Sequence, residues 1–248
     1  MISVKGKWAL ITGAARGIGR LTALYMAGMD CNLILHSRQL SHTESLLEEV
    51  KAKGVEAVAV EAELSDLDAV AAMLETIDGM GMPVDIVLNN AGLQIAYRND
   101  YLSTPASDYT ESFKINTTAP MLICYHFLPG MKERGFGRIL NTTSGIRLDP
   151  QQAGYSASKA ALDKVTIDLG YTVQGTNVMI NLTDPGWCRT DLGGPHAPNA
   201  PESAIPGIVA GVFANDKKSG RFLGAQNFAG MTIEEAVAKV EADFDSPY

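Results

Sequence analysis

Two side chains that could exchange protons with a substrate, Tyr155 and Lys159, lie close together in the sequence. They are four residues apart in an Ala-rich, Pro-free segment that predicts a helix, so both side chains share one helix face. A phenol titrates near pH ~10 in water, and a positive charge within ~4–6 Å lowers that pKa. Tyr155 would then act as a proton donor and acceptor. Alternatively, a surface helix carries both residues by coincidence, so the rest of the chain must supply a reason for proton transfer.

A glycine-rich turn near the N-terminus has the sequence context of a phosphate-binding loop. The apolar run Lys7 to Thr12 predicts a buried strand, and a helix with an apolar stripe follows the turn. Glycines let a pyrophosphate approach the backbone N–H groups at the positive end of such a helix. The spacing Gly-x-x-x-Gly-x-Gly differs from the standard dinucleotide fingerprint, and a tight turn without a ligand is the alternative. The candidate cofactor-binding residues here are Gly13, Arg16, Gly17, Ile18 and Gly19.

The end of the second predicted strand, Cys31 to His36, indicates which nicotinamide cofactor would bind. A carboxylate at this position would accept a hydrogen bond from the ribose 2′-hydroxyl, whereas an arginine accommodates a 2′-phosphate. The chain has Ser37 and Arg38 there, and Arg16 in the glycine turn can approach the same phosphate. These residues favour NADP(H) over NAD(H).

Polar residues follow three later predicted strands, Val84 to Leu88, Gly137 to Thr142 and Asn177 to Leu182. The carboxyl ends of parallel strands meet at one edge of a sheet, where open α/β proteins bind ligands. The residues expected to converge there with Tyr155 and Lys159 are Asn90, Ser144, Pro185 and Gly186.

The alternation of strands and helices predicts an α/β fold, with one doubly wound, Rossmann-type domain over residues 1–248. We expect a mostly parallel sheet of six to seven strands with helices on both faces.

The segment Pro105 to Met131 is mostly helical but is interrupted around Asn116 to Pro120. Residues 190–206, rich in Gly, Pro, Asn and Ala, predict a mobile lid, and residues 243–248 a loose tail. The other predicted elements are strands Val55 to Val60 and Gly220 to Ala225, and helices His42 to Lys53, Leu67 to Ile77 and Met231 to Ala242.

Composition excludes several classes of protein. The net charge is −8 without a basic run, which argues against nucleic acid and anionic membrane surfaces as partners. Three widely separated cysteines and four histidines without ligand spacing predict neither disulfides nor a metal site. The N-terminus leaves no room for a signal peptide and no apolar run reaches membrane-spanning length, so we expect a cytoplasmic protein.

Several motifs together resemble the short-chain dehydrogenase/reductase family in its common form of roughly 250 residues. They occur in the family's order from the N-terminus to about Thr190: Thr12-Gly13-x-x-x-Gly17-Ile18-Gly19, Asn89-Asn90-Ala91-Gly92, Asn116, Ser144, Tyr155-x-x-Ser158-Lys159 and Pro185-Gly186. The joint occurrence of these motifs is far more specific than any one of them.

The resemblance implies a role for each residue of the set. Tyr155 would protonate a carbonyl oxygen as a hydride arrives from the nicotinamide, and Ser144 would hydrogen-bond that oxygen. Lys159 would hold the nicotinamide ribose and lower the pKa of Tyr155, and Asn116 would anchor a water that returns the proton. Thr190 would contact the nicotinamide amide. The remaining cofactor contacts implied are Glu63 and Leu64 at the adenine, with Asn90, Ala91, Gly92, Pro185 and Gly186.

Details of the sequence refine the resemblance. Glu63 stands where an Asp is common, and Gly220 to Ala225 lacks the Gly-Gly ending frequent in tetrameric acyl-carrier reductases. The run from Trp187 to Pro195 looks more like the carbonyl-reductase side of the family. The expected substrate walls combine apolar residues with two amides and suggest an uncharged ketone or aldehyde; besides Ser144, Tyr155 and the lid they are Gln94, Ile146, Gln152 and Trp187.

The leading hypothesis is an NADPH-dependent reductase of a ketone or aldehyde, reversible as an alcohol dehydrogenase. A 3-oxoacyl thioester reductase and a sugar or polyol dehydrogenase are alternatives within the enzyme class. A non-catalytic NADP-sensing regulator or scaffold is the alternative from another class. A homodimer or homotetramer is expected through the helices carrying Asn116 and Tyr155, where Ala157, Ala160, Ala161 and Gly170 permit close approach.

Overall fold

Seven parallel strands form one sheet in a computed structural model that describes residues 1–248. Their order is β3-β2-β1-β4-β5-β6-β7, so the order reverses between β1 and β4. In a sheet of this kind the crevice at the reversal, outside the carboxyl ends of the strands, is where ligands bind. The strands are β1 (Trp8–Ile11), β2 (Asn32–Ser37), β3 (Ala57–Glu61), β4 (Val84–Asn89), β5 (Gly137–Thr142), β6 (Val178–Asp184) and β7 (Phe222–Gly224).

Eight α-helices cover the sheet, with short 3₁₀ turns between some of them. The helices are α1 (Gly17–Gly28), α2 (Glu44–Lys51), α3 (Leu67–Gly79), α4 (Ala106–Phe113), α5 (Ala119–Arg134), α6 (Ala153–Tyr171), α7 (Ile205–Phe213) and α8 (Ile233–Asp243). None of them combines the length and the apolarity needed to cross a membrane.

The central strands are apolar on both faces because each face carries its own hydrophobic core. One core joins residues of α1, α2, α7 and α8 to the sheet, and the second core joins residues of α3, α5 and α6 to the opposite face. Along β1, Ala9 and Ile11 belong to the first core and Leu10 to the second. The predicted Rossmann-type α/β fold, a parallel sheet between two helical layers, is confirmed.

The interruption predicted around Asn116 is a turn of π-helix over Lys114–Thr118, which separates α4 from α5. A π-turn contains one extra residue per turn, and such turns occur frequently at functional sites. Here the turn places Asn116, fully buried, against the loop that follows β4.

Two predictions about the last third of the chain are wrong. Residues 201–206 are not part of a loose lid, because Pro201–Ala204 form a 3₁₀ turn and Ile205 begins α7, a helix in which every residue except Pro206 is buried. The tail after α8 is docked rather than loose. Phe244 stacks on Phe228 with ring centroids 5.5 Å apart, and the Tyr248 hydroxyl donates a hydrogen bond to the carbonyl of Ile167 in α6.

Candidate active site

The glycine turn after β1 has a backbone that only glycine fits at two positions. Gly13 and Gly17 have φ values of +65° and +54°, in the left-handed region that side chains rarely adopt. A Cβ on Gly19 would collide with the carbonyl oxygen of Gly13. No side chain caps the first N–H groups of α1, which leaves them free for an anion at the positive end of this helix. The turn therefore fits the pyrophosphate of a dinucleotide.

The loop after β4 braces the glycine turn. The Asn90 side-chain amide donates to the carbonyls of Thr12 (3.0 Å) and Gly13 (3.3 Å), and the Ala91 N–H donates to the Thr12 hydroxyl (3.1 Å). A Cβ on Gly13 would lie only 3.0 Å from the Cα of Ala91. Asn90 and Ala91 thus border the predicted cofactor groove, and Asn90 also holds the backbone of the glycine turn in place.

The end of β2 carries no carboxylate, as the sequence indicated. The Ser37 hydroxyl donates to the Gln39 carbonyl at 2.6 Å, and the exposed Arg38 side chain forms neither a hydrogen bond nor an ion pair. Glu61 on the neighbouring β3 lies opposite Ser37, but its carboxylate accepts the Leu40 N–H at 2.8 Å. Arg38 is therefore the unpaired cation at this end of the groove.

Arg16 has a different partner from the one that the sequence predicted. Its Nη1 atom is 2.8 Å from Oδ2 of Asp191, a residue in the segment after β6, so it is paired with a carboxylate in the chain by itself. Among the residues predicted at the adenine, Glu63 is exposed, whereas the Leu64 side chain is buried in the core, with 4% exposed. Leu64 can contact a cofactor only through its backbone.

Tyr155 and Lys159 share the buried face of α6, with 8% and 4% of each residue exposed. The Lys159 Nζ atom lies 6.0 Å from the centre of the Tyr155 ring and donates a hydrogen bond to the Thr142 carbonyl at 2.7 Å. That carbonyl belongs to the last residue of β5, so the helix is tied to the strand that delivers Ser144. The predicted helical pair is thus held inside the cleft, not at the surface.

Asn116 connects the π-turn to both neighbouring elements. Its Oδ1 accepts the Leu93 N–H at 2.8 Å, and its Nδ2 donates to the Leu93 carbonyl (2.8 Å) and to the Ser158 hydroxyl (3.0 Å). A Cβ added to Gly92 would lie 3.4 Å from Asn116 Oδ1 and 3.5 Å from Lys159 Nζ. The amide and the ammonium therefore border the same small space.

Lys159 was expected to lower the pKa of Tyr155, but in the chain by itself that pKa is raised. Burial raises the pKa of the phenol above its ordinary value, the Ser144 hydroxyl beside it lowers the pKa, and the Asp184 carboxylate raises it further. Burial also lowers the pKa of Lys159 to about 8, and the carboxylates of Asp163 and Asp184 oppose that shift. At neutral pH the site holds a neutral phenol beside an ammonium.

Two carboxylates in the cleft were missed by the sequence reading. The Oδ2 atom of Asp184 accepts the Gly145 N–H at 3.0 Å, and its Oδ1 atom accepts the Gly186 N–H at 2.9 Å. Asp163 accepts a hydrogen bond from Thr143, and burial raises the pKa of this carboxyl to about 6. The spacing of four residues after Lys159 could have identified Asp163. Nothing in the sequence shows that Asp184 binds the loop of Ser144.

The residues predicted to line the substrate site differ in accessibility. Gln94 and Trp187 are exposed, and Ile146 is partly buried, with its N–H 3.3 Å from the Ser144 hydroxyl. Gln152 is 2% exposed and its Nε2 donates to the Ile95 carbonyl at 3.1 Å. The prediction that Gln152 contacts substrate is therefore not supported, because its side chain positions the loop after β4 instead.

Residues 190–200, the irregular part of the predicted lid, are held by their own contacts. The Arg189 side chain donates to the carbonyls of Ala197 (3.0 Å) and Pro198 (2.8 Å), and the Trp187 indole donates to the Gly193 carbonyl at 2.6 Å. The Thr190 methyl group lies 3.4 Å from where a Cβ of Gly17 would be. This segment borders the glycine turn, where the predicted contact of Thr190 with a cofactor would be made.

Residues 7–200 match the family model described as short chain dehydrogenase. The chain belongs to the short-chain dehydrogenase/reductase family. An uncharacterised oxidoreductase of Mycobacterium tuberculosis is 33% identical over 195 residues, 77% of this chain. The aligned region covers only 57% of the length of that relative.

Solved structures of short-chain dehydrogenases share the fold. A candidate NAD(P)-dependent gluconate 5-dehydrogenase from Beutenbergia cavernae, with bound NADP, superposes with a TM-score of 0.80 and 26% identity over 90% of this chain and 96% of that one. A 3-oxoacyl-(acyl-carrier protein) reductase from Brucella melitensis, with bound NAD, has a TM-score of 0.79 and 25% identity, over 90% of both chains. The two structures hold different nicotinamide cofactors.

Proposed function

We propose that this protein is an NADPH-dependent oxidoreductase that reduces a ketone or an aldehyde to an alcohol, in a reversible reaction. The observation that carries the proposal is geometric: the buried Tyr155 ring lies 6.0 Å from the Lys159 Nζ atom, and its hydroxyl lies beside that of Ser144 in the same cleft. A bound nicotinamide cofactor would supply the hydride, and the protein supplies position and protons.

Each residue has a distinct task in this reaction. Ser144 donates a hydrogen bond to the substrate oxygen, and Tyr155 transfers its proton to that oxygen as negative charge develops there. Lys159 stabilises the phenolate that remains and binds the ribose hydroxyls of the cofactor. Asn116, beside the same space as Lys159, holds a water that returns a proton to the site.

The decisive experiment replaces the Tyr155 phenol. Tyr155→Phe should lower turnover at least about 100-fold, the loss typical of an acid–base group, while NADPH still binds. Tyr171→Phe removes the exposed hydroxyl at the other end of the same helix and should leave turnover unchanged. Turnover at the wild-type rate in Tyr155→Phe would exclude the proposed mechanism.

The proposed preference for NADPH rests on the end of β2. Ser37 and the unpaired Arg38 stand there, and β2 ends without the carboxylate that would bind a ribose 2′-hydroxyl. An arginine binds a phosphate through charge-assisted hydrogen bonds, which are stronger than neutral ones. Comparison of kcat/KM for NADPH and NADH tests this part of the proposal by itself.

Reduction of a 3-oxoacyl thioester is the second candidate, because the Brucella melitensis protein that shares the fold is such a reductase. Oxidation of a sugar or polyol is the third candidate, because the Beutenbergia cavernae protein is described as a gluconate 5-dehydrogenase. A panel of ketones, aldehydes, 3-oxoacyl thioesters and polyols, followed by NADPH absorbance, separates these activities. Tight NADPH binding without turnover on any of them would indicate a non-catalytic sensor.

We further propose a cytoplasmic homodimer or homotetramer. The thiols of Cys31, Cys124 and Cys188 are all free and buried, which fits a reducing compartment. Outside the cleft, α5 exposes Leu122 and Tyr125, and α6 exposes Ala160. Gly170, predicted to face a partner, is instead covered by Tyr248 and Gly220 of its own chain.

A further inference from the structure

The arginine of the glycine turn is engaged by a carboxylate of its own chain. Arg16, the N-cap residue of α1, forms an ion pair with Asp191, which lies 175 residues away in sequence. Both side chains are largely exposed, 69% and 68% respectively. Because water solvates both charges, such a pair is weak and exchanges readily for a stronger partner.

Asp191 is held at the groove by the segment that contains it. The preceding Thr190 accepts the Gly193 N–H at its hydroxyl (3.1 Å) and the Gly194 N–H at its carbonyl (2.8 Å). Its methyl group borders Gly17, where a Cβ would be 3.4 Å away. These contacts hold the backbone before Asp191, so its carboxylate lies beside the turn that fits a pyrophosphate.

We propose that Asp191 determines how strongly the protein prefers NADPH, because it competes with the cofactor's phosphates for Arg16. The inference rests on the proposed function. NADPH carries an additional phosphate with a charge of about −1.5 to −2. A carboxylate at the groove opposes that cofactor more than it opposes NADH, and it occupies the Arg16 Nη1 atom that a phosphate would otherwise contact.

The experiment measures cofactor affinity directly by isothermal titration calorimetry, without turnover. Asp191→Asn keeps the side-chain size and removes the charge, so the Kd for NADPH should fall about three- to fivefold, the strength of a surface ion pair. The Kd for NADH should change less than about twofold. Glu202→Gln, which removes an exposed charge from the 3₁₀ turn that follows the same segment, should change neither Kd.

A second pair of proteins tests whether Asp191 acts through Arg16. In the Arg16→Gln background, Asp191→Asn should improve NADPH binding less than it does when Arg16 is present. An equal improvement in both backgrounds would overturn the inference and leave a general charge effect. An unchanged Kd in Asp191→Asn, with tight NADPH binding to the wild type, would overturn it and leave the proposed function intact. If the wild type bound neither cofactor, the proposed function would fail as well.

Discussion

The buried ammonium of Lys159 gives the proposed reaction a defined pH dependence. Its pKa is lowered to about 8, mainly by burial, whereas the pKa of Tyr155 is raised. The charged lysine is present below its pKa, so kcat/KM for NADPH should be constant near neutral pH and fall above about 8. Because kcat/KM reports groups of the free enzyme, its pH profile measures this pKa.

A variant of the lysine serves as the control for this pH profile. An arginine keeps its charge at every accessible pH, so Lys159→Arg, if it retains measurable activity, should lose the decline above pH 8 that the lysine causes. If kcat/KM declined at the same pH in both proteins, the decline would be caused by a group other than Lys159.

Arg38 gives a second prediction for a single residue. Arg38→Gln should reduce kcat/KM for NADPH about tenfold or more, since it removes a charge-assisted contact with the 2′-phosphate. The value for NADH, which lacks that phosphate, should remain within about twofold. Lys51→Gln at the end of α2 removes another surface cation and is the matched control. Equal losses with both cofactors in Arg38→Gln would contradict the assignment of the β2 end.

For single residues, the sequence predicted which side chains form the site but not which residues they contact. Tyr155, Lys159 and Ser144 could be placed together because helix spacing and strand ends determine their positions. The direction of the Tyr155 pKa could not be predicted, since it depends on burial and on Asp184. The pairing of Arg16 with Asp191 joins two turns that only the folded chain brings together.

Among the secondary-structure elements, the loops after β5 and β6 are joined by Asp184. Its two oxygens accept the N–H groups of Gly145 and Gly186, so it positions Ser144 through the loop backbone. In Asp184→Asn one of those N–H groups would face an NH₂ group, and we expect kcat to fall about tenfold. Because the carboxylate raises the pKa of Tyr155, its removal should also lower that pKa.

The test of Asp184 separates positioning from a loss of stability. The pH at which alcohol oxidation reaches half its maximum should shift down in Asp184→Asn, whereas a purely structural loss would lower only the thermal unfolding midpoint. Asp100, in the loop after β4, has an exposed carboxylate that accepts no hydrogen bond, so Asp100→Asn is the control. Loss of kcat together with an unchanged pH profile would assign Asp184 a purely structural role.

The helix α7 was not recognised in the sequence because Pro206, Gly207 and Gly211 are typical of loops. Two of these residues predict opposite outcomes. A Cβ on Gly207 would overlap the backbone of Ala225, whereas a Cβ on Gly211 would meet the movable end of the Leu140 side chain at 2.9 Å.

Alanine at these two positions distinguishes close packing from helix propensity. Gly207→Ala should destabilise the fold by about 1–3 kcal/mol through overpacking. Gly211→Ala should be less damaging, since alanine favours the helix by about 1 kcal/mol relative to glycine. Urea unfolding of both variants measures the difference, and equal free energies of unfolding would contradict this account of α7.

For the whole molecule, we expect self-association through α5 and α6. Tyr125 is 53% exposed and Leu122 36% exposed on the outer face of α5, where a partner helix could bury them. Light scattering at micromolar concentration should give a mass of two or four chains. Leu122→Arg should reduce that mass, whereas Leu40→Arg, on the distant 3₁₀ turn after β2, should not. A monomeric wild type would exclude this prediction.

The alternation of apolar strands with helices was enough to predict the sheet and its two helical layers. Element bounds agreed within a few residues where periodicity was strong, as in β5, which was predicted over the residues it occupies, Gly137–Thr142. The docking of the tail was not predictable, because Tyr248 contacts Ile167 and Gly220 through tertiary packing alone.

The burial of all three cysteine thiols has a practical consequence. A maleimide dye should leave the native wild type unlabelled, so one introduced surface cysteine would be modified selectively. Leu148, fully exposed in the loop between Ser144 and α6, is a suitable position for such a cysteine. A fluorophore attached through Leu148→Cys would lie beside the cleft and report, molecule by molecule, when a ligand enters or leaves it.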